Sequence, residues 1–193
     1  MCSRYLAPLS LFLLLSASAP LIATAPVPRK SPELKFLDPS GQQKSLSNFS
    51  GKVVMVEFLL VKCPHCLRVA QTINKLNAEL GPRGFQPIGI AFDNGINGPL
   101  VKNFTEHFKV GYPIGYTSSD QVDGYLGRAG TERFGVPQIV VIDRKGIIRA
   151  QSRPTRETNL ENEEYLRNLI ESLLKERAPV TGAKHAAPSK KTG

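Results

Sequence analysis

The nine residues "VVMVEFLLV", Val53 to Val61, constrain the fold more than any other stretch of this chain. They are almost unbroken apolar residues, rich in β-branched side chains, with a single charge at Glu57. A strand with one wet face alternates apolar and polar residues, whereas a run this continuous suits a strand covered on both faces. Such a strand needs a layer above it and a layer below it, which the rest of the chain must supply. After Lys62 comes "CPHCLRVAQTINKLNAELGP". Pro64 starts a helix, where its missing N–H and fixed φ cost nothing. Cys66, Leu67, Ala70, Ile73, Leu76 and Leu80 recur at helical spacing, and Gly81-Pro82 closes the element.

The alternation continues. "FQPIGIAF", Phe85 to Phe92, reads as a second buried strand, and Gly98-Pro99 opens a helix with Val101, Phe104 and Phe108 on one face. "YPIGY" fits a short strand, and Ser119 to Arg128 a turn or two of helix. "QIVVIDRKGIIRAQ" is a hairpin turning at Asp143-Arg144-Lys145-Gly146. Thr158 and Glu161 form a capping-box pattern, so the last helix is expected from near Thr158, with Leu166, Leu169, Ile170, Leu173 and Leu174 inward. Upstream, "LKFLDPSGQQKSLSNFSGK" gives short strand-like pieces around Pro39-Ser40-Gly41. The expected fold is α/β: one domain over residues 34–177, a central mixed β-sheet with helices on both faces.

Both flanks differ from this body. Arg4 is followed by an uncharged stretch from Tyr5 to Pro28 with the apolar heart "LSLFLLLSASA". That heart is too short, and too interrupted by Pro8 and Pro20, for a comfortable membrane span. Residues 1–25 therefore read as a signal peptide, with "ATA" as its small-residue cleavage pattern, or as an N-terminal anchor retained because Pro26 impedes cleavage. Either outcome places the domain outside the cytoplasm, in the periplasm. Residues 26–33 ("PVPRKSPE") read as a linker, and 178–193 as a disordered basic tail. The net charge of +9 includes Arg4 and the tail's Lys184, Lys190 and Lys191, which leaves 21 basic against 16 acidic residues, +5, on the body. No basic stretch is interleaved with aromatics, so nucleic acid is excluded as a partner.

Export changes the reading of the cysteines. Cys2 falls in the signal with no lipid-attachment pattern before it, leaving Cys63 and Cys66 as a single pair. A structural disulfide stabilises by removing loop entropy from the unfolded chain, and a loop enclosing two residues offers little. A lone short-loop pair in an oxidising compartment is a redox centre. The helix start makes its members unequal. Cys63 meets unpaired backbone N–H groups and the positive end of the helix dipole, each interaction contributing about 1 kcal/mol in favour of the thiolate. Lys62 and His65 add to this, with the imidazole expected to approach the Cys63 sulfur. Cys66, one turn inside, is the resolving thiol. A stabilised thiolate stabilises the reduced form and makes the disulfide a stronger oxidant.

Strand, CxxC at a helix start and a later "GVP" before a hairpin together resemble the thioredoxin superfamily. The lead-in "LKFLDPSGQQKSLSNFSGKVVMVEFL" and the ending "FGVPQIVVIDRKGIIRA" are similar to its exported TlpA/ResA-like branch, over about residues 31–151 with the last helix also expected. The resemblance implies a thioredoxin-like fold and protein thiol–disulfide exchange with no bound cofactor. It implies that Pro137 is the cis-proline facing the disulfide, so that Val136 and Pro137 shape the substrate surface. It also makes Glu57, six residues before Cys63, a buried acid near the second cysteine, able to accept or return the Cys66 proton. The alternative for Glu57 is a head group that reaches solvent or pairs with a lysine. The implied partners are exported proteins with cysteines and a redox partner that resets the pair.

Three positions depart from the branch. Lys62 stands where tryptophan is usual, Gln138 follows Pro137 where threonine is common, and the Pro-His dipeptide is typical of DsbA-like oxidases. Framework and active-site pair thus point in opposite redox directions. A peroxidase on this fold needs Thr or Ser three residues before its reactive cysteine and Pro seven before; Leu60 and Val56 stand there and exclude it. The remaining alternative is a Cu(I)-binding module using Cys63, Cys66 and a distant histidine. Exported copper chaperones of this fold place three residues between their cysteines, and here there are two.

Overall fold

The computed structural model describes residues 25–128, 134–154 and 159–177. Its strands are β1 (Arg29–Lys30), β2 (Lys35–Leu37), β3 (Gln43–Ser45), β4 (Val53–Leu59), β5 (Phe85–Ala91), β6 (Ile114–Tyr116), β7 (Gln138–Ile142) and β8 (Ile147–Gln151). Its helices are α1 (Pro64–Leu80), α2 (Gly98–His107), α3 (Ser119–Leu126) and α4 (Glu163–Lys175). The strands form one mixed sheet in the order β1-β8-β7-β4-β5-β6-β2-β3. Its middle is β4, parallel to β5 from Val53↔Phe85 to Leu59↔Ala91 and antiparallel to β7 from Val54↔Ile142 to Phe58↔Gln138.

Every residue of β4 is buried, as its unbroken apolar sequence requires. Alternation along the strand divides it between two layers. Val53, Met55 and Leu59 pack with Cys66, Ile73 and Leu76 of α1, Val101 and Phe104 of α2, and Leu166 and Ile170 of α4. Val54, Val56 and Phe58 pack on the other face with Val122, Tyr125 and Leu126 of α3 and with Leu34, Phe36 and Leu46. Glu57 keeps step with Val53, Met55 and Leu59, so its carboxyl enters the layer that holds α1. The fold is the thioredoxin-like α/β arrangement, with helices on both faces of a mixed sheet.

Two local expectations are corrected. Residues 26–33 are not only a linker, because Arg29 and Lys30 pair with Ile148 and Ile147 as the outermost strand. The Ser31 N–H also donates to the Gly146 carbonyl at 2.9 Å, and Arg29 donates to the Tyr125 carbonyl at 2.9 Å. The outer edge of β8 offers backbone groups that a passing chain satisfies, and Pro28 and Pro32 confine the pairing to a short segment. The last helix begins at Glu163, with Asn162 as its cap accepting the Tyr165 N–H at 2.9 Å. Asparagine ranks among the strongest N-caps, and it releases Glu161 from the capping role expected of it. Thr158, residues 1–24 and the tail from 178 lie outside the described residues. Among the described residues no helix is long and apolar enough to cross a membrane.

Candidate functional site

The site forms where β4 ends and α1 begins. The Cys63 N–H donates to the Leu60 carbonyl at 3.0 Å, and the Val61 N–H donates to Asp93 Oδ2 at 3.0 Å. These bonds tie the lead-in to the loop after β5. Cys63 is then the extended N-cap of α1 (φ −87°, ψ 111°), Pro64 occupies the first turn, and the Cys66 N–H donates to Cys63 Sγ at 3.1 Å. Both cysteines are free thiols. Cys63 is partly exposed and Cys66 fully buried. Burial pushes the Cys66 thiol far up, and the neighbouring Cys63 sulfur and the Glu57 charge push the same way. One sulfur is presented at the surface and the other is kept protonated beneath it.

Behind Cys66, Glu57 is fully buried. Its head neither reaches solvent nor pairs with a lysine. The Tyr112 hydroxyl donates to Glu57 Oε2 at 2.9 Å, and Oε1 has no hydrogen-bond partner among the described residues. Burial pushes the carboxyl up to about 8; the Tyr112 hydrogen bond opposes this and the charge of Glu161 adds to it. Burial, then the Glu57 charge, raises the Tyr112 phenol well above its ordinary value, so it remains a donor.

The antiparallel register Phe58↔Gln138 sets the residues before β7 at the end of β4 from which Cys63 emerges. The Val136–Pro137 bond is cis, Pro137 is buried, and Val136 packs on the same apolar cluster as Cys63. Gln138 is buried and its Nε2 donates to the Gly135 carbonyl at 2.6 Å, closing this turn on itself. The Phe134 ring stacks on Phe92 at 5.8 Å and lies 3.5 Å beneath the Arg128 guanidinium. Lys62 is exposed. A cleft of about 950 Å³ opens beside it, lined by Leu60, Val61, Phe92, Ile96 and Tyr116 among others.

His65 departs from expectation. Its two ring nitrogens are engaged by Glu161, with Nε2 2.5 Å from Oε2, and by Arg68, whose NH2 lies 2.7 Å from Nδ1. Arg68 stands three positions along α1, where helical side chains meet.

Sequence reasoning thus placed Cys63, Pro64, Cys66, Glu57, Val136 and Pro137 at one end of the sheet, where the structure brings them together. It missed Tyr112, Asp93, Arg68 and the pairing of Glu161. Tyr112 lies 55 residues from Glu57, and no local pattern links the two. Among the described residues no group of three or more His, Cys, Asp or Glu side chains is placed to hold a metal ion.

The model of the redoxin family matches residues 25–169. Among solved structures, a Bacteroides thetaiotaomicron protein provisionally assigned as a protein disulfide isomerase is 28% identical, with a TM-score of 0.65 over 78% of this chain and 91% of that one. A Chlorobium tepidum protein provisionally assigned as the thiol:disulfide interchange protein DsbE is 22% identical, with a TM-score of 0.63 over 76% of this chain and 96% of that one. The thioredoxin domain of a thiol-disulfide oxidoreductase from Bacteroides vulgatus is 22% identical, with a TM-score of 0.62 over 78% and 99%.

Proposed function

This chain belongs to the redoxin family and is homologous to thiol–disulfide oxidoreductases, and we propose that it reduces disulfides of exported, cysteine-containing proteins outside the cytoplasm. The observation that carries this reading is the stacking of one accessible sulfur, one buried sulfur and one buried carboxyl at the N-terminus of α1. The Cys63 sulfur attacks a substrate disulfide; that S–S bond breaks, one substrate sulfur leaves and takes a proton, and Cys63 is joined to the other. Cys66 then loses its proton and attacks Cys63, and the second substrate sulfur leaves as a thiol. Two electrons and two protons pass to the substrate, and the Cys63–Cys66 disulfide remains. A dithiol partner must return two electrons to it.

The Cys66 proton needs an acceptor in a place that water does not reach. Glu57 is that acceptor, since a carboxyl titrating at about 8 is ionised in roughly a tenth of molecules at neutral pH and lies near the optimum for proton exchange there. Val136 and Pro137 supply the floor on which the substrate segment lies, and the cleft beside Lys62 receives its flanking residues. Reduction, rather than oxidation, follows from His65. The stronger oxidant implied by Pro-His needs the imidazole at the Cys63 sulfur, and here the two ring nitrogens are engaged by Glu161 and Arg68. The chain before Ala25 serves as the export signal or as an anchor.

Trapping tests the exchange. Cys66→Ser is expected to accumulate mixed disulfides with exported proteins through Cys63, and Cys63→Ser to accumulate none. Equal trapping by both variants would overturn the assignment of attacking and resolving sulfurs. For the direction, equilibrium with glutathione is expected to give a potential nearer ~−270 than ~−120 mV.

A further inference from the structure

Three amide side chains of α1, Gln71, Asn74 and Asn77, stand three positions apart and so share one face of the helix. All three reach the same piece of backbone, the turn that joins α2 to β6. Gln71 Nε2 donates to the Phe108 carbonyl at 2.9 Å, Asn74 Nδ2 to the Lys109 carbonyl at 3.1 Å, and Asn77 Nδ2 to the Gly111 carbonyl at 3.0 Å. Asn74 Oδ1 also accepts the Gly111 N–H at 2.7 Å, so this one side chain both donates to the turn and accepts from it. An amide is suited to binding backbone because it carries the same donor and acceptor as a peptide group.

The turn is one that needs holding. Lys109 has φ 51°, and among the described residues it is the one non-glycine residue in the left-handed region. An L-residue stays in that region where its surroundings impose it. The Val110 N–H closes the end of α2 on the Thr105 carbonyl at 3.0 Å. The chain leaves the turn through Val110 and Tyr112, both buried in the cluster that holds Cys66. Tyr112 stands two residues before Ile114, and Gly89 of β5 pairs with Glu57 on one side and Ile114 on the other. Gly89 puts no side chain on that row, and a Cβ there would run into the Ile114 side chain. The phenol of Tyr112 thus crosses to Glu57 and donates to Oε2 at 2.9 Å. The helix whose first turn carries the cysteines therefore also fixes, further along, the residue that hydrogen-bonds Glu57.

We propose that Asn74, with Gln71 and Asn77 beside it, is a positioning residue that holds the Tyr112 hydroxyl on Glu57 and so sets the pH at which Cys66 gives up its proton for the resolving step. This rests on the reading of Glu57 as the acceptor of that proton. A hydrogen bond donated to a carboxylate favours its ionised form. With the turn pinned, Tyr112 offsets part of the burial that holds the Glu57 proton, and more molecules carry the base at neutral pH. With the turn released, Tyr112 leaves its place and Glu57 ionises only at higher pH. The groups that titrate or carry charge around Glu57 are Cys66 of α1 with Cys63 beside it, Tyr112, and Glu161 from the turn before α4. The amides carry no charge of their own, so removing one reaches Glu57 through the position of Tyr112.

The experiment is single-turnover reduction, by the whole reduced protein, of an aromatic disulfide with coloured thiol products, followed across pH. The first thiol is released when Cys63 attacks. The second is released when Cys66 loses its proton and displaces it from Cys63, and Cys66→Ser is expected to release the first alone. Wild type, Asn74→Ala, Tyr112→Phe and the double variant are compared. Tyr112→Phe is expected to raise the midpoint of the second release by about one pH unit, and Asn74→Ala by about half as much. In the Tyr112→Phe background, Asn74→Ala is expected to add less than about 0.2 unit. A midpoint that Asn74→Ala leaves in place, or an equal rise in both backgrounds, overturns the proposal; a general loss of stability would not move the midpoint. If Asn74→Ala does not fold, Gln71→Ala and Asn77→Ala each remove one bond and carry the same test in smaller steps, and an unmoved midpoint in both overturns it. The ¹³C carboxyl resonance that Glu57→Gln removes gives a reading without the reaction. Its titration midpoint is expected at about 8 in wild type and higher in Asn74→Ala, and a common midpoint would overturn the proposal. Release of only the first thiol by wild type would refute the resolving role of Cys66 itself, a result distinct from two releases with an unmoved midpoint.

Discussion

Replacing Glu57 by glutamine removes a titrating group from the middle of β4 while keeping its shape. Burial holds the Glu57 proton up to about 8, against an ordinary value of 4.5. Between these values the unfolded chain has released the proton and the folded chain keeps it. The folded state then binds more protons, so stability falls as pH rises, by about 1.4 kcal/mol per pH unit. The loss reaches about 3 kcal/mol by pH 7 and levels off at about 5 kcal/mol above pH 8. Below about pH 4.5 both states are protonated and nothing is lost. Glutamine does not ionise. Its oxygen still accepts from Tyr112, and its amide N–H points where Oε1 has no partner, as the O–H of a protonated Glu57 also does. The variant is therefore expected within about 1 kcal/mol of wild type at pH 4.5 and more stable than it by about 3 kcal/mol at pH 7. Urea unfolding of the reduced proteins, followed by circular dichroism because the chain has no tryptophan, measures the difference across this range. A difference that stays constant with pH would refute the burial argument, whatever its size.

Tyr112→Phe removes the one hydrogen bond that favours ionised Glu57, so the pH at which the Cys66-dependent step is half-maximal is expected to rise. Single-turnover reduction of a model disulfide across pH reads this directly, and an unmoved profile would mean that another group receives the Cys66 proton. Gly98→Ala acts far from the sulfurs: a Cβ there runs into the backbone carbonyl of Pro39, and no rotamer relieves a backbone contact. A loss of about 1–3 kcal/mol in urea is expected, with the glutathione equilibrium unchanged.

The sequence carried those features whose cause is local. The unbroken run at Val53–Val61 specified a doubly covered strand, Pro64 and Gly81-Pro82 bracketed α1, and Asp143 to Gly146 turned the hairpin, because each depends on residues within a few positions. Glu57 was legible for the same reason, as one charge in an apolar strand. What was not legible depends on distant chain. β1 looks like a linker because Pro28 and Pro32 suppress its local signal, and only the open edge of β8 makes it a strand. Tyr112 gives no hint of Glu57 until β5 and β6 are side by side. His65 was read from its sequence neighbours, the cysteines, whereas its ring nitrogens are engaged by Arg68 and by Glu161, which arrives from the turn before α4. Glu161 was read as a cap because Thr158 matches a capping box, and Asn162 is the better cap.

The two ends of the sheet bear on how such an enzyme parts from its clients. A protein that exchanges disulfides with other proteins meets extended segments, and a long bare strand edge would template them into a lasting complex. Among the described residues the sheet ends in a strand of two residues, β1, and a strand of three, β3. Lys30 lies in one and Lys44 in the other, and lysine at an edge adds a charge that a further strand would have to desolvate. The sides of the molecule thus resist strand-by-strand capture, and encounters that persist are directed to the end where a covalent bond can form and be resolved.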